Sequence, residues 1–331
     1  MESRAEADPR GGRDPAGFSD VAVLVPCYAE ATTIAQVVRD FRASLPGATV
    51  YVFDNNSPDA TASQAAEAGA VVRRETHQGK GNVVRRMFAD VEAEIYVLVD
   101  GDATYEAAAA PAMVRLLREE RLDMVSGARR AEAGAAWRAG HRFGNRLLTG
   151  LVRLAFGRAF DDMLSGYRVM SRRFVKSFPA TSQGFEIETE LTVHALQMRL
   201  PVAEVATAYR ARPAGSTSKL GTVRDGLRIL LMIGLLVREE KPLLVFGTAA
   251  ALLFSASAVL VAPVLREYYA TGLVPRLPTF VAATAAFVAA LLSLACGLIL
   301  DTVARARLEQ RRLAYLALPP PGERRRGAAY S

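Results

Sequence analysis

The sequence predicts an α/β protein with a doubly wound, mostly parallel sheet, followed by interfacial amphipathic helices and two C-terminal transmembrane helices. Three observations predict it. Short apolar runs alternate with amphipathic stretches from Val21 to about Val125, the pattern of βαβ units. One such run, Ile95–Val99, ends in Asp100-Gly101-Asp102, and ligands bind at the carboxyl ends of strands in an open α/β sheet. Two late segments, Leu243–Leu265 and Leu277–Leu300, carry no charged residue, and each exceeds the roughly 20 residues that cross a hydrocarbon core.

The elements follow in order. Residues 1–19 are polar and rich in Gly, Arg and Asp, and read as a disordered tail. Val21–Val25 is the first strand, Thr33–Phe41 an amphipathic helix and Val50–Phe53 the second strand, with a helix from about Ala60. Val71–Val72 is a short strand, Gly81–Phe88 lies in a helix and Ile95–Val99 is the fourth strand. Pro111–Glu120 is a helix and Met124–Val125 a fifth strand. No Gly-x-Gly-x-x-Gly follows the first strand, and His77–Asn82 lacks the upstream Gly and the Ser/Thr of a P-loop. Beyond Arg129, arginines punctuate two apolar stretches: Arg142, Arg146 and Arg153 before Phe156, and Arg224 and Arg228 before Ile229–Val237. A helix carrying guanidiniums on one side and Leu, Ile or Phe on the other lies in a headgroup plane or packs on a sheet. The resulting division is a tail (1–19), a soluble domain (20–221), an interfacial helix (222–241), a two-span hairpin (242–304) and a basic tail (305–331).

Charge orients the hairpin. Arg238 and Lys241 precede the first span, and Arg305, Arg307, Arg311 and Arg312 follow the second, whereas the only basic residues of the connection are Arg266 and Arg276. The positive-inside rule then places both termini and the large domain in the cytoplasm. The net charge of +7 suits an anionic membrane surface. No basic stripe with interleaved aromatics appears, so nucleic acid is not an expected partner. Cys27 and Cys296 form no disulfide framework, and His77, His141 and His194 have no metal-ligand spacing.

Paired acids at a strand end are costly unless something positive neutralises them. Asp100 and Asp102 therefore read either as a solvated acidic turn or as a seat for Mg²⁺ or Mn²⁺ carrying a diphosphate, since hard oxygen ligands suit those ions. Glu186, Glu188 and Glu190 fall in a helix leading into Leu191–Leu196, and at least one of them is expected on a solvated face.

Seven motifs then occur in order. They are Val25-Pro26-Cys27-Tyr28-Ala29-Glu30, Asp54 through Thr61, Gly79-Lys80-Gly81, Asp100-Gly101-Asp102, Gly127-Ala128-Arg129, Asp162-Met163-Leu164-Ser165-Gly166-Tyr167-Arg168, and Arg212 through Lys219. Together they resemble the family 2 inverting glycosyltransferases, in particular the dolichol-phosphate mannose synthase and bacterial polyprenyl-phosphate group. The resemblance implies a GT-A-like sheet and transfer of one sugar, with inversion, from a UDP- or GDP-linked donor to a polyprenyl phosphate, feeding cell-envelope glycan modification. It implies that Pro26, Tyr28, Glu30, Asp54, Lys80 and Gly101 bind the nucleotide, that Asp100 and Asp102 hold the metal, and that Asp162 and Arg129 complete the catalytic set. Asp162 would contact a sugar hydroxyl or orient an arginine. Backbone N–H groups of the Gly-Lys-Gly turn can also face an anion.

A polyprenyl phosphate is already mostly a dianion at neutral pH, so the acceptor needs cations more than a base. Arginine recognises phosphate bidentately, and Arg129, Arg142, Arg146, Arg168 and Arg212, with Ser218 and Lys219, are the expected acceptor set. Three residues depart from the family pattern: Ala29 replaces an Asn, Asn55 the second acid of an Asp pair, and Thr104 a Gln. The resemblance also implies a bacterial inner-membrane location and leaves a homo-oligomer open. Processive polysaccharide synthases carry Gln-x-x-Arg-Trp and more spans, while the one tryptophan here is Trp137. A non-catalytic nucleotide-binding scaffold is the alternative from another class.

Overall fold

The computed structural model describes residues 17–131, 160, 162–184, 186–210, 234, 238–239 and 241–321. They fall into two compact units, one holding the described residues up to 131, from 160 to 210 and from 315 onward, the other those from 234 to 314.

The first unit is built on a seven-stranded sheet in the order β3-β2-β1-β4-β6-β5-β7. Its strands are β1 (Val21–Cys27), β2 (Thr49–Asp54), β3 (Val71–Arg74), β4 (Ile95–Leu98), β5 (Met124–Ala131), β6 (Arg168–Ser171) and β7 (Val202–Tyr209). Only β6 runs against its neighbours. The helices are α1 (Ile34–Ser44), α2 (Thr61–Glu67), α3 (Lys80–Asp90), α4 (Ala110–Glu119), α5 (Arg172–Ser177) and α6 (Ile187–Met198). Continuous apolar runs mark strands covered on both faces, and Val23, Leu24 and Val25 of β1 are fully buried. Helices α1 and α4 bury Ile34, Val37, Val38 and Phe41, and Ala110, Met113, Val114 and Leu117, the spacing of one helical face.

The order reverses at β1 and β4, so their carboxyl ends open a switch-point crevice. Because β6 is antiparallel, its beginning, not its end, lies on that same edge. Asp54 ends β2, Asp100 follows β4, Arg129 lies in the last half of β5, and Ser165-Gly166-Tyr167 leads into β6. With Val25–Glu30 at the end of β1 itself, topology gathers five of the seven motifs.

The doubly wound α/β expectation holds. The apolar pattern of the sequence reveals five strands and not β6 or β7; β6 has only four residues, and β7 is half-exposed, so neither shows a continuous apolar run. Two boundaries are corrected. Residues 17–19 belong to the fold: Phe18 is buried, Arg118 lies 5.7 Å over its ring, and its carbonyl accepts the Val21 N–H. The helix of the second expected span does not stop at 304 but runs on through Leu316, into the residues assigned to the basic tail.

The second unit contains α7 (Pro242–Thr271) and α8 (Leu277–Leu316), both long and apolar enough to cross a membrane. They pair through a seam of mostly small residues at heptad spacing, Ala250, Ser257 and Val264 against Ala283, Ala290 and Gly297, the pattern of close helix packing where lipid offers no hydrophobic drive. Ser257 donates to the Ala283 carbonyl at 2.8 Å and Ser293 to that of Phe246 at 2.9 Å. A Cβ at Gly297 would sit 3.0 Å from that of Phe246. Leucines, valines and phenylalanines elsewhere on both helices are exposed. The expected interfacial helix and the Arg142–Phe156 stretch lie almost wholly outside the described residues.

Candidate active site

The site is assembled around the loop after β1. Three successive backbone donors of that loop are taken by side chains of the segment after β2: Ala29 N–H by Ser57 Oγ at 2.9 Å, Glu30 N–H by Thr61 Oγ1 at 2.8 Å and Ala31 N–H by Asp59 Oδ2 at 3.3 Å. The alternating Ser57, Asp59 and Thr61 therefore build the loop that carries Tyr28 and Glu30. Ala29 sits at φ +51°, a left-handed conformation that Asn adopts more readily than Ala.

Asn55 is scaffolding. Its Nδ2 donates to the carbonyls of Glu75 and His77, both at 2.9 Å, and its Oδ1 accepts the Gly79 N–H at 2.7 Å. A carboxylate could not donate to those carbonyls, so the departure from an Asp pair matches the local hydrogen bonding. Asp54 accepts from Ser57 N–H through Oδ2 at 3.2 Å, while its buried Oδ1 has no hydrogen-bond partner among the described residues. Buried acceptors are rarely left so. Tyr28 is 40% exposed at the mouth of the crevice, beside half-buried Pro26 and buried Glu30.

The Gly-Lys-Gly turn differs from expectation. Gly81 N–H donates to the Gln183 carbonyl at 3.0 Å, and Gly79 N–H to Asn55, so neither offers itself to an anion. The glycines instead allow close approach, since a Cβ at Gly79 or Gly81 would lie 2.3 Å from Gln183 O or 2.2 Å from Ser182 O. Lys80 begins α3, and its ammonium lies 2.5 Å from both Asp100 Oδ1 and Glu188 Oε1. Burial opposes that charge, but the two carboxylates outweigh it and hold the ammonium above its usual range. Burial raises the Glu188 carboxyl, against the pull of Lys80.

Asp102 is buried, and Oδ1 accepts from Thr104 Oγ1 at 2.6 Å and Thr104 N–H at 3.2 Å. Thr104 thus orients Asp102. Gly101 packs on Cys27, whose sulfur would lie 2.7 Å from an added Cβ, and its carbonyl accepts from Thr33 Oγ1 at 2.7 Å. Gly166 lies against Asp100, whose Oδ2 would be 2.4 Å from an added Cβ. The Gly166 N–H donates to Tyr105 Oη at 2.8 Å.

Asp162 grips Arg129 with both oxygens, at 2.7 Å to Nε and 2.7 Å to Nη2, and also accepts the Arg129 N–H at 3.1 Å. Burial opposes the Asp162 charge, yet these bonds hold its carboxyl below the usual carboxylate range. The guanidinium lies 5.6 Å over the Tyr209 ring, which packs on Tyr105 at 5.3 Å. Of the two roles expected for Asp162, orienting an arginine is the one seen; the Nε edge of Arg129 is therefore closed to a phosphate.

Arg168 is corrected. It is fully buried, and its guanidinium donates to the carbonyls of Ser165, Met163 and Glu188 and to Thr192 Oγ1. Burial pulls it down to about 10. It braces the start of β6 against α6 and leaves the acceptor set. Arg142, Arg146, Arg212, Ser218 and Lys219 lie outside the described residues.

Sequence reasoning missed the buried Glu188 and Glu190. Glu190 accepts from Thr181 N–H and Ser182 N–H, each at 2.9 Å, fixing the loop that meets Gly79 and Gly81. Glu186 alone of the three is half-exposed. The available signal was Lys80 itself, a rare lysine that needs a counter-charge once buried.

Among the described residues, no cluster of three or more His, Cys, Asp or Glu could hold a metal. Two hard carboxylates nevertheless fit Mg²⁺ or Mn²⁺, which keep waters and take substrate phosphates as their other ligands.

The sequence profile described as Glycosyl transferase family 2 matches residues 22–178. Glycosyltransferase AglJ of Haloferax volcanii is 38% identical over 231 residues, 69% of this chain and 75% of that protein. A dolichyl-phosphate hexose transferase of the same organism is 28% identical over 224 residues, 68% of this chain and 96% of its own length. Glucosyl-3-phosphoglycerate synthase from Mycobacterium tuberculosis, solved with Mn²⁺, UDP-glucose and phosphoglyceric acid, superposes with a TM-score of 0.53 at 25% identity, covering 64% of this chain and 79% of that one. The sheet order, the site at the strand ends and these likenesses agree, and the chain belongs to glycosyltransferase family 2, with a fold of the GT-A type.

Proposed function

We propose that this glycosyltransferase moves one sugar from a nucleotide-sugar donor to a polyprenyl phosphate, with inversion, at a membrane surface. The observation that carries the donor half is the convergence of Asp100, Asp102, Lys80 and the buried Asp54 Oδ1 on one sheet edge. Asp54 Oδ1 would accept from a base or ribose donor, and Tyr28 and Glu30 would flank the nucleoside. Asp100 and Asp102 would hold Mg²⁺ or Mn²⁺, which stabilises charge on the departing nucleoside diphosphate. The solved neighbour's UDP-glucose and Mn²⁺ support this half.

The acceptor half rests on the two apolar helices and the dolichyl-phosphate hexose transferase likeness. A phosphate dianion needs no general base, so the chain's task is to align it behind the anomeric carbon. Asp162 holds Arg129 rigid at the crevice, where the guanidinium's charge can face that phosphate; Arg142, Arg146, Arg212, Ser218 and Lys219 complete the reading. The arginine bias around the hairpin favours a catalytic unit and both termini in the cytoplasm, at a bacterial inner membrane.

The test uses full-length protein, Mn²⁺ or Mg²⁺, undecaprenyl phosphate and a panel of labelled UDP- and GDP-sugars. Label entering the organic phase from one donor, and lost with Asp102→Asn, is expected. Full transfer by Asp102→Asn would sink the metal assignment. Transfer only to a water-soluble phosphorylated acceptor would sink the lipid assignment.

A further inference from the structure

The structure shows one ammonium between two carboxylates of unequal standing. Lys80 Nζ lies 2.5 Å from each, yet the Asp100 side chain is 28% exposed and that of Glu188 only 8%. Asp100 faces the crevice; Glu188 is walled into α6. The Lys80 backbone is clamped as well, because the loop fixed by Glu190 presents Ser182 O and Gln183 O against Gly81 and Gly79. Residues of α6 therefore govern both ends of Lys80.

We propose that Glu188 is a positioning residue of the donor site, the seat that retains Lys80 when Asp100 turns its oxygen to a divalent metal. The proposal rests on the metal reading above. An ammonium and a metal compete for Asp100, and the competition is relieved when the ammonium has another carboxylate to hold it. Glu188 supplies that carboxylate without any movement of the Lys80 backbone. Without it, Lys80 would lean on Asp100 and compete with the metal for it. Lys80, held by Glu188, then stands beside the metal site with its charge facing a donor diphosphate.

The test is Mn²⁺ uptake by the full-length protein, read as loss of the free Mn²⁺ electron-paramagnetic-resonance signal, so no turnover is needed. Glu188→Gln is expected to weaken Mn²⁺ binding about tenfold, the low end of what loss of an outer partner costs a metal site. Lys80→Met should tighten it, because Asp100 loses its competing cation. The paired Lys80→Met/Glu188→Gln variant removes the two opposite buried charges together and should bind Mn²⁺ at least as well as the unaltered chain, even if Glu188→Gln alone folds poorly. Unchanged affinity in Glu188→Gln, or weakened affinity in the paired variant, would overturn the seat while leaving the metal reading intact. No Mn²⁺ uptake by the unaltered chain would overturn the metal reading and the seat with it.

Discussion

Asp162 holds Arg129 by a two-pronged ion pair, both contacts at 2.7 Å, with a third bond from the Arg129 backbone. The pair joins the segment before β6 to the end of β5, so it sets where one edge of the crevice stands. Breaking one side of a largely buried pair is costly, because the other charge stays behind.

Asp162→Asn is therefore expected to lower stability by about 3 kcal/mol at neutral pH. The sign with pH follows from the depressed carboxyl. Its folded value lies below its unfolded value, so the contribution is full above the ordinary carboxylate range, about pH 4. It is lost as pH falls through the folded value. Denaturant unfolding of both proteins from pH 7 to pH 3 should show the gap closing toward acid. A gap that widened would contradict the assignment.

Arg168 illustrates what a motif can and cannot carry. The sequence of residues 162–168 placed Asp162 and Arg168 in the same site; both are buried, but Asp162 pairs with Arg129 whereas Arg168 spends its donors on backbone carbonyls and Thr192. Arg168→Met should lower the melting temperature while leaving KM for the lipid acceptor unchanged in the folded protein. A selective rise in acceptor KM with unchanged melting would return Arg168 to the acceptor set.

Much of the fold was legible because β1, β4 and the end of β2 are buried on both faces and so read as plain apolar runs. The strand β7 was not, since its residues are mostly half-exposed and include Glu204. The placement of Asp100 and Asp102 at the end of β4 was legible because they directly follow an apolar run, whereas their use was open between an acidic turn and a metal seat until the motifs around them were read together. Glu188 was not: helical spacing says which residues share a face, but not that α6 would be buried on nearly every side.

Asn55 makes the same point in reverse. Read by family pattern it is a departure; read by its bonds it is the donor that two carbonyls require. Asn55→Asp should destabilise by about 2 kcal/mol through carbonyl–carboxylate repulsion and lost bonds. Thermal melting measures it, and a neutral result would remove Asn55 from the scaffold.

Ala29 is the converse case, a residue whose backbone would suit another side chain. At φ +51°, Ala29→Asn or Ala29→Gly relieves left-handed strain and should raise stability by about 0.5–1 kcal/mol. Because the Ala29 N–H is already fixed by Ser57, donor KM should stay unchanged. Destabilisation by both variants would contradict this account.

Gly166 tests the crevice most directly. It needs no left-handed backbone; its constraint is space, because an added Cβ would meet Asp100 Oδ2 at 2.4 Å and Cγ at 2.9 Å. Asp100 must then move, and displacement of a reacting group by about 1 Å costs on the order of 10²-fold in rate. Gly166→Ala should therefore cut transfer by about that factor and weaken Mn²⁺ binding, with little change in melting temperature. Gly184→Ala is the matched control, since its Cβ would meet only the end of the half-exposed Glu186 side chain, which can swing aside. Equal activity in the two variants would mean that Asp100 need not stand where the structure puts it. Loss in Gly166→Ala alone ties the glycine of the Ser-Gly-Tyr-Arg motif to the position of one carboxylate.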